Sequence, residues 1–171
     1  FEESKTRPMG RGASGVRGIT LKNDKDEVVG MIAVNDMDAN ILVVSENGYG
    51  KRSDIDSYRQ TNRGGKGVKT ISITSKTGNL IAIKNVIDSD GLMIINKSGV
   101  MIRMNIDSMR VMGRATQGVK LINLKENDHI SSVAKVEIDD SEETGLADDN
   151  QQDDNQQDDN QQDDNQQDDN Q

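Results

Sequence analysis

"RQTNRGGKGVKTISI", residues 59–73, occurs in three related copies and defines the repeat on which the fold depends. The other two copies are "RPMGRGASGVRGITL" (7–21) and "RVMGRATQGVKLINL" (110–124), and all three read R-x3-R-x3-G-V-[KR]. Their inner arginines are Arg11, Arg63 and Arg114, so the spacing is 63 − 11 = 52 and then 114 − 63 = 51 residues. Self-similarity at a period of this length indicates a repeat architecture such as a solenoid or a propeller.

The repeat extends beyond these elements, because "ILVVSENGYGKRSDIDSYR" (41–59) overlays "LMIINKSGVMIRMNIDSMR" (92–110) at the same offset. Short β-branched runs alternate with Gly, Asn and Asp clusters, which is typical of strands joined by turns. The runs expected to form strands are 16–21, 28–34, 41–44, 68–73, 80–86 and 92–95. About four strands per fifty residues match one propeller-type blade, and no unbroken helical spacing of apolar residues competes with this pattern. We therefore predict an all-β array of blades.

The repeat also predicts the domain organisation. Residues 1–138 are expected to form a partial ring of two full and two partial blades, in which 1–11 align with the last strand of one blade and 119–138 with the first half of another. Open ends leave strand edges unpaired, so such a piece should be less stable and less soluble than a closed ring. Residues 139–171 are predicted to form a disordered acidic tail, because the chain repeats D-D-N-Q-Q from Asp148 and has no apolar residue after Ala147.

The formal net charge of −9 is divided unevenly along the chain. Residues 1–138 contain 21 Lys and Arg and 16 Asp and Glu, giving 21 − 16 = +5, whereas residues 139–171 contain 14 acidic residues and no Lys or Arg, giving −14. A basic body beside an acidic tail indicates a nucleic-acid or membrane partner. Apolar runs as short as "ILVV" cannot span a bilayer, and the absence of cysteine excludes thiolate chemistry and disulfides.

The basic residues recur in register, which would place them along one curved rim if the blades stack around an axis. Duplex DNA carries about one charge per 1.7 Å of axis, arginine binds phosphate in bidentate fashion, and glycine allows close backbone approach. With only three aromatic residues, stacking on single strands is not favoured, so we expect sequence-tolerant duplex binding. The alternative is a propeller module that docks an acidic protein. The candidate DNA-binding residues are Arg7, Arg11, Arg17, Arg52, Arg59, Arg63, Gly64, Gly65, Lys66, Gly67, Lys69, Arg103, Arg110, Arg114 and Lys120.

Several of these stretches resemble a known family. "FEESKTRPMGRGASGVRGITL" (1–21), "NGYGKRSDIDSYR" (47–59) and "VMGRATQGVKLI" (111–122) are similar to the last blades of the carboxy-terminal domain of the DNA gyrase A protein. The resemblance implies a β-pinwheel, in which neighbouring blades exchange strands and a basic rim wraps the DNA segment transported during negative supercoiling. The corresponding domain of the topoisomerase IV A protein is the alternative within the same enzyme class.

The hallmark of that family is the box Q-R-R-G-G-K-G. Residues 61–67 read T-N-R-G-G-K-G, so they match from Arg63 onward and depart at Thr61 and Asn62. The stretch resembles a degenerate copy of the box located in a later blade, and the resemblance leaves open whether it is the main wrapping determinant.

The resemblance also implies partners and cofactors. These are double-stranded DNA, the rest of the gyrase A protein, and the gyrase B protein in an A2B2 heterotetramer, in the bacterial cytoplasm near the nucleoid and without a membrane. Mg²⁺ and ATP would act through other domains and subunits, and we expect no cofactor or metal in this chain.

Such topoisomerases cleave DNA with a tyrosine, which raises the question of whether this chain holds it. Tyr49 and Tyr58 overlay Val100 and Met109 in the repeat, and His129 is the only histidine. We therefore expect no catalytic residue here.

Overall fold

The structure, a computed structural model, describes residues 1–138, and these residues form an all-β fold. The strands are β1 (Asn40–Ser45), β2 (Tyr49–Asp54), β3 (Leu80–Val86), β4 (Asp90–Asn96), β5 (Met101–Asn105), β6 (Val119–Lys120) and β7 (Ile130–Glu137). The described residues contain no α-helix, only two short 3-10 helices at Glu3–Lys5 and Ile55–Ser57. Accordingly, none of their helices has the length and apolarity needed to cross a membrane.

The strands form two antiparallel sheets that are copies of one blade. The first sheet has the order β3-β1-β2-β6 and the second has the order β5-β4-β7. Shifting by one repeat places β4 on β1, β5 on β2 and β7 on β3. The register breaks fall at matching places, Val44/Ser45 in the first sheet and Ile95/Asn96 in the second. The predicted four-stranded propeller-like blade is confirmed by the first sheet.

The first blade is assembled from distant parts of the chain. Its central hairpin, β1–β2, pairs on one side with β3 and on the other with β6, which belongs to the element 110–124. In that last pairing Tyr49 lies opposite Lys120, and Gly50 lies opposite Val119. A blade completed by a strand from a later repeat is the strand exchange implied by the pinwheel family.

Three of the six expected strands form as predicted, and three do not. The runs 41–44, 80–86 and 92–95 lie in β1, β3 and β4, whereas 16–21, 28–34 and 68–73 form no strand. In the first blade the equivalents of these runs pair with a hairpin earlier in the chain, and no hairpin precedes residue 40 in the described part. A strand requires a ladder partner, so these runs stay irregular.

The expectation of a strand within residues 1–11 is also wrong. The 3-10 turn Glu3–Lys5 lies there, at the repeat position of Ile55–Ser57, which follows β2 directly.

The hydrophobic core lies on both faces of β1. Leu42 and Val44 lie in one cluster with Leu92 and Ile94 of the second blade, while Ile41 and Val43 lie in a separate cluster with Ile71 on the opposite face. Five of the six β1 residues are buried, which explains why this strand reads as a continuous apolar run. The segment before β1 is less covered, because Val28 and Met31 are largely exposed.

Candidate nucleic-acid interface

The inner arginine of each element lies in a tight turn. Backbone hydrogen bonds close the turns from Ala13 N to Gly10 O (3.1 Å) and from Thr116 N to Gly113 O (3.3 Å). Arg11 and Arg114 each follow the first residue of such a turn, and Arg63 has the same position in the turn of the middle element. A turn presents the side chains of its central residues away from the sheet, which suits a cation that must reach a partner.

The glycine of the G-V pair has one conformation in all three elements. Gly15, Gly67 and Gly118 have φ values of 79°, 78° and 79°. Only glycine adopts this left-handed region without steric cost. At Gly118 there is a second constraint, since a Cβ there would lie 2.5 Å from the carbonyl oxygen of Gly50. The glycine therefore fixes both the chain direction and the close approach of β6 to β2.

Successive elements are joined by the same pair of hydrogen bonds. Thr20 donates from its backbone nitrogen to Gly65 O (2.9 Å) and from its hydroxyl to Gly64 O (2.6 Å). Ser72 repeats this one element later, donating from nitrogen to Thr116 O (3.1 Å) and from its hydroxyl to Ala115 O (3.0 Å). In the first two elements, the residue nine positions after the inner arginine therefore forms hydrogen bonds with the turn of the next element. The three turns are held in a fixed row.

This row is basic throughout. Arg114 Nη1 donates to Lys69 O at 2.9 Å, so the last cation of the middle element lies beside the turn of the third. The three elements contain no Asp or Glu. All their cations are exposed except Arg114, which is half-buried. We call this set the basic strip: Arg7, Arg11, Arg17, Arg59, Arg63, Lys66, Lys69, Arg110, Arg114 and Lys120.

The box-like turn has its own backbone geometry. Gly64 has φ 76°, whereas its counterparts Gly12 and Ala115 do not have positive φ. Its N–H donates to Gly18 O at 2.7 Å, so this amide is engaged by the neighbouring element and does not point to a partner. Gly65, Lys66 and Gly67 are exposed. The box-like turn therefore has an exposed lysine side chain, and its backbone is held by hydrogen bonds to the element 7–21.

Arg52 is not on the strip, and the expectation that it lies on an exposed rim is wrong. It is only 6% exposed, its Nε donates to the Met109 carbonyl, and its Nη1 pairs with Asp88. Its carbonyl accepts the Met112 N–H at 2.9 Å, because the element 110–124 covers β2 from outside. Arg103, its counterpart in β5, is exposed. Arg52 is a structural residue of the first blade.

The described residues match one family over most of their length. A family model described as "DNA gyrase C-terminal domain, beta-propeller" matches residues 1–35, 39–86 and 92–137. The chain belongs to this family. It is 49% identical over 146 residues to the DNA gyrase A protein of Staphylococcus aureus strain NCTC 8325 / PS 47, a match covering 84% of this chain and 16% of that protein. The gyrase A protein of strain COL matches to the same extent. The chain thus spans 16% of the length of these curated relatives.

Solved structures agree with this assignment. The structure of a DNA gyrase A C-terminal domain matches with a TM-score of 0.70 and 27% identity, covering 78% of this chain and 45% of that one. The C-terminal domain of DNA topoisomerase IV matches with a TM-score of 0.74 and 23% identity, covering 80% and 42%. At that identity the second match shows a common fold alone.

In this gyrase C-terminal domain, sequence reasoning missed Lys51. Its side chain is fully buried, and Nζ donates to the Gly113 carbonyl at 2.6 Å, beneath the turn of Arg114. Burial, and then the charge of Arg114, lower its pKa to about 8. The repeat overlay does contain a signal, because the equivalent residue in the second blade is the apolar Ile102. A lysine at a core position implies a partner for its ammonium group.

A second basic feature of the gyrase domain lies beside the strip. A shallow cleft of about 300 Å³ is lined by Lys76, Lys120 and Lys125, together with Tyr49 and His129. Lys76 Nζ lies 5.3 Å from the centre of the Tyr49 ring, so a cation already occupies one face of that aromatic. Lys76 and Lys125 lie outside the three in-register sets of cations, which is why the repeat did not reveal them. No group of three metal-ligating side chains occurs among residues 1–138.

Proposed function

We propose that this chain binds duplex DNA along the basic strip and wraps it, as part of a gyrase A protein. The observation that supports the proposal is the fixed row of three turns, linked by Thr20 and Ser72 and free of carboxylates. Each phosphate neutralised by Lys or Arg releases counterions, so a row of cations gives high affinity without reading bases. Binding is therefore tolerant of sequence.

Wrapping requires that the contacts exceed the cost of bending. Smooth bending of a 20–30 bp site by 40–90° costs about 1–6 kcal/mol. Several phosphate contacts can supply this jointly if the cations do not have to be ordered on binding. The hydrogen bonds between neighbouring elements reduce that cost to the ordering of side chains, because they hold the backbone of the turns that contain Arg63 and Arg114.

The proposal extends to the assembly in which this domain acts. The DNA-bound domain presents the transported segment to the rest of the gyrase A protein, and to the gyrase B protein in an A2B2 heterotetramer, within the bacterial cytoplasm. Mg²⁺ and ATP act in those other parts. This chain contributes bending and binding, and strand cleavage occurs elsewhere.

The salt dependence of duplex binding tests the strip. Arg11→Ala, Arg63→Ala and Arg114→Ala should each weaken binding equally across unrelated sequences and reduce the slope of log K against log salt by about 1. Lys97→Ala, in the β4–β5 turn outside the elements, is the matched control and should keep the wild-type slope. Nicked circles ligated in the presence of the chain should change linking number. Unchanged slopes without a topology change, combined with binding of an acidic protein, would favour the docking module instead.

Arg52→Met separates structure from binding in the same assay. Loss of the buried guanidinium leaves the Met109 carbonyl without its donor, so the free energy of unfolding should fall by about 1–3 kcal/mol in urea titrations. The salt slope of the folded variant should match wild type. A reduced slope of log K against log salt would instead indicate that Arg52 contacts DNA.

The parent gyrase provides the functional test. Arg63→Ala combined with Lys66→Ala in the full gyrase A protein, reconstituted with the B protein, should abolish negative supercoiling while relaxation is retained. Supercoiling at the wild-type rate would show that the box-like turn of residues 61–67 is dispensable for wrapping.

A further inference from the structure

The shallow cleft beside the basic strip is lined by three lysines from different segments of the chain. Lys76 lies in the loop before β3, Lys120 lies in β6, and Lys125 lies in the loop before β7. We call this site the lysine cleft. Its volume of about 300 Å³ is at the lower end of the range for small-molecule sites, which suits a compact ligand.

The positive charge of the lysine cleft is only partly offset by the carboxylate that lines it, Asp128. Oδ2 of Asp128 accepts from Asn96 Nδ2 at 2.6 Å and from Ser98 Oγ at 2.8 Å, so it is engaged by the second blade. Its Oδ1 accepts the backbone N–H of His129 at 2.9 Å. Among residues 1–138, no carboxylate forms an ion pair with any of the three lysines. With His129 neutral, the lining residues have a formal charge of 3 − 1 = +2.

The backbone at each of the three lysines is held in place. Asn47 Nδ2 donates to the Lys76 carbonyl at 3.2 Å, and Asp128 N donates to the Lys125 carbonyl at 3.1 Å. Lys120 lies opposite Tyr49 in the pairing of β2 with β6. A ligand in the cleft therefore has to order the lysine side chains but not the segments that present them, which lowers the entropic cost of binding.

Asn47 joins the two loops that form the walls of the cleft. Its Nδ2 donates to the carbonyls of Ser75 (3.3 Å) and Lys76, so its Oδ1 is the atom left to accept from His129 Nδ1, at 3.1 Å. His129 belongs to the loop of Lys125. One side chain in the β1–β2 turn therefore fixes the loop of Lys76 relative to the loop of Lys125.

The residue types in the cleft favour a compact phosphate ligand. Among residues 1–138, lysine supplies all of its positive charge and no arginine lines it. An ammonium group acts as a point charge with three rotatable donors, which suits the tetrahedral oxygens of phosphate, whereas a planar carboxylate is matched better by the fork of arginine. Each strand of a duplex has one charge per roughly 3.4 Å of axis, so the cleft would meet few of them. A short polyphosphate brings several charges within one small ligand.

We propose that the lysine cleft binds a free triphosphate group, either inorganic or carried by a nucleotide. Lys76, Lys120 and Lys125 bind its oxygens from three sides. The cleft is distinct from the duplex-binding surface except at Lys120, which belongs to both the cleft and the basic strip. A bound triphosphate therefore withdraws one cation from the strip, and this consequence rests on the proposed function.

Calorimetric titration of the whole chain with inorganic triphosphate, without DNA or divalent cations, tests the cleft. Lys76→Gln and Lys125→Gln should each weaken binding by about tenfold, because each removes a hydrogen bond from a charged donor. Both lysines are exposed, so the fold should persist. Lys22→Gln is the matched control, since Lys22 follows Arg11 as Lys125 follows Arg114, by 11 residues, and does not line the cleft. It should bind as wild type does. No binding by wild type, or equal affinity of the control and the two cleft variants, would overturn the proposal.

Nucleoside triphosphates used as further ligands identify the source of the triphosphate group. Lys76 already occupies one face of the Tyr49 ring, so we expect them to bind as tightly as inorganic triphosphate, whatever the base. That result supports a site for the phosphate chain alone. Tighter binding that depends on the base, and that Tyr49→Leu removes, would support the same site with a nucleotide as its ligand.

Duplex titrations test the overlap at Lys120. Triphosphate is added at a concentration that saturates wild type but not Lys125→Gln, and the ionic strength is kept constant. Duplex binding should weaken in wild type and change less in Lys125→Gln, whose basic strip is intact. Equal weakening of the two chains would overturn the overlap at Lys120. The calorimetry without DNA decides the cleft itself, and the salt slope without triphosphate decides the strip, so the two proposals fail separately.

Discussion

Lys51 connects the core of the first blade to the basic strip. Its ammonium group donates to the Gly113 carbonyl, which also accepts the N–H and the hydroxyl of Thr116. One buried cation therefore fixes the turn that holds Arg114. The lowered pKa shows that the ammonium form is disfavoured there, because burial removes water and Arg114 adds like charge.

This lowered pKa predicts a pH dependence of stability. Between pH 8 and pH 10.5, the unfolded chain keeps the Lys51 proton and the folded chain releases it, so the free energy of unfolding contributed by this group rises with pH. Urea titrations of wild type and Lys51→Met across this window should show the rise in wild type and a flatter profile in the variant.

Arg114→Gln is the companion variant for this test. Removing the like charge raises the pKa of Lys51, so the rise should shift to higher pH. Parallel profiles for wild type and Lys51→Met would contradict the assignment.

The burial of Arg52 could not be predicted from the sequence. The repeat places Arg52 and Arg103 at one position, yet only Arg52 is buried. The difference arises because the element 110–124 lies over β2, whereas no described element lies over β5. The sequence repeat correctly aligns the two arginines. Whether each is buried depends on which later segment of the chain packs over its strand, and this is a property of the tertiary structure.

At the scale of elements, the G-V glycine determines whether an element can dock. Gly118→Ala places a Cβ at positive φ and 2.5 Å from a backbone oxygen, which cannot move aside easily. We expect a loss of more than about 2 kcal/mol in the free energy of unfolding, measured by urea titration.

The matched control lies in the same element. A Cβ at Gly113 meets no atom within 4 Å, and its φ is not positive, so Gly113→Ala should be neutral or slightly stabilising. Equal losses for the two variants would show that β6 docking does not depend on the backbone conformation of Gly118.

A predicted strand formed only where the described chain supplies a neighbouring strand for it to pair with. The runs 41–44, 80–86 and 92–95 combine β-branched residues with partners inside the described chain, and they form strands. The runs 16–21, 28–34 and 68–73 have the same composition, but the hairpin with which their equivalents in the first blade pair would lie before residue 40, and the described residues contain none there. Propensity describes how well a residue fits a sheet, and it does not supply the neighbouring strand.

For the whole molecule, the uneven distribution of charge predicts that the acidic segment 139–171 competes with DNA for the basic strip. Residues 139–171, which lie outside the described part, have a formal charge of −14, whereas the basic strip is proposed to bind a polyanion. A tethered acidic segment acts at a high effective concentration. Deleting 139–171 should therefore tighten duplex binding in titrations at matched salt.

A neutral tail separates charge from length. Replacing its Asp and Glu by Asn and Gln should tighten binding as much as the deletion does. Affinity that is unchanged by either alteration would show that the tail does not compete with DNA.

The strand exchange of the first blade also has a consequence for synthesis. Val119 follows Asp54 by 119 − 54 = 65 residues. A ribosome adds about 5–20 residues per second, so the β1–β2 hairpin waits roughly 3–13 s for the strand that covers its edge. During that interval a nascent chain exposes β2 to other nascent chains on the same messenger. Slow translation between the emergence of the β1–β2 hairpin and the emergence of Val119 from the ribosome should therefore increase co-translational aggregation, whereas slow translation after Val119 has emerged should not.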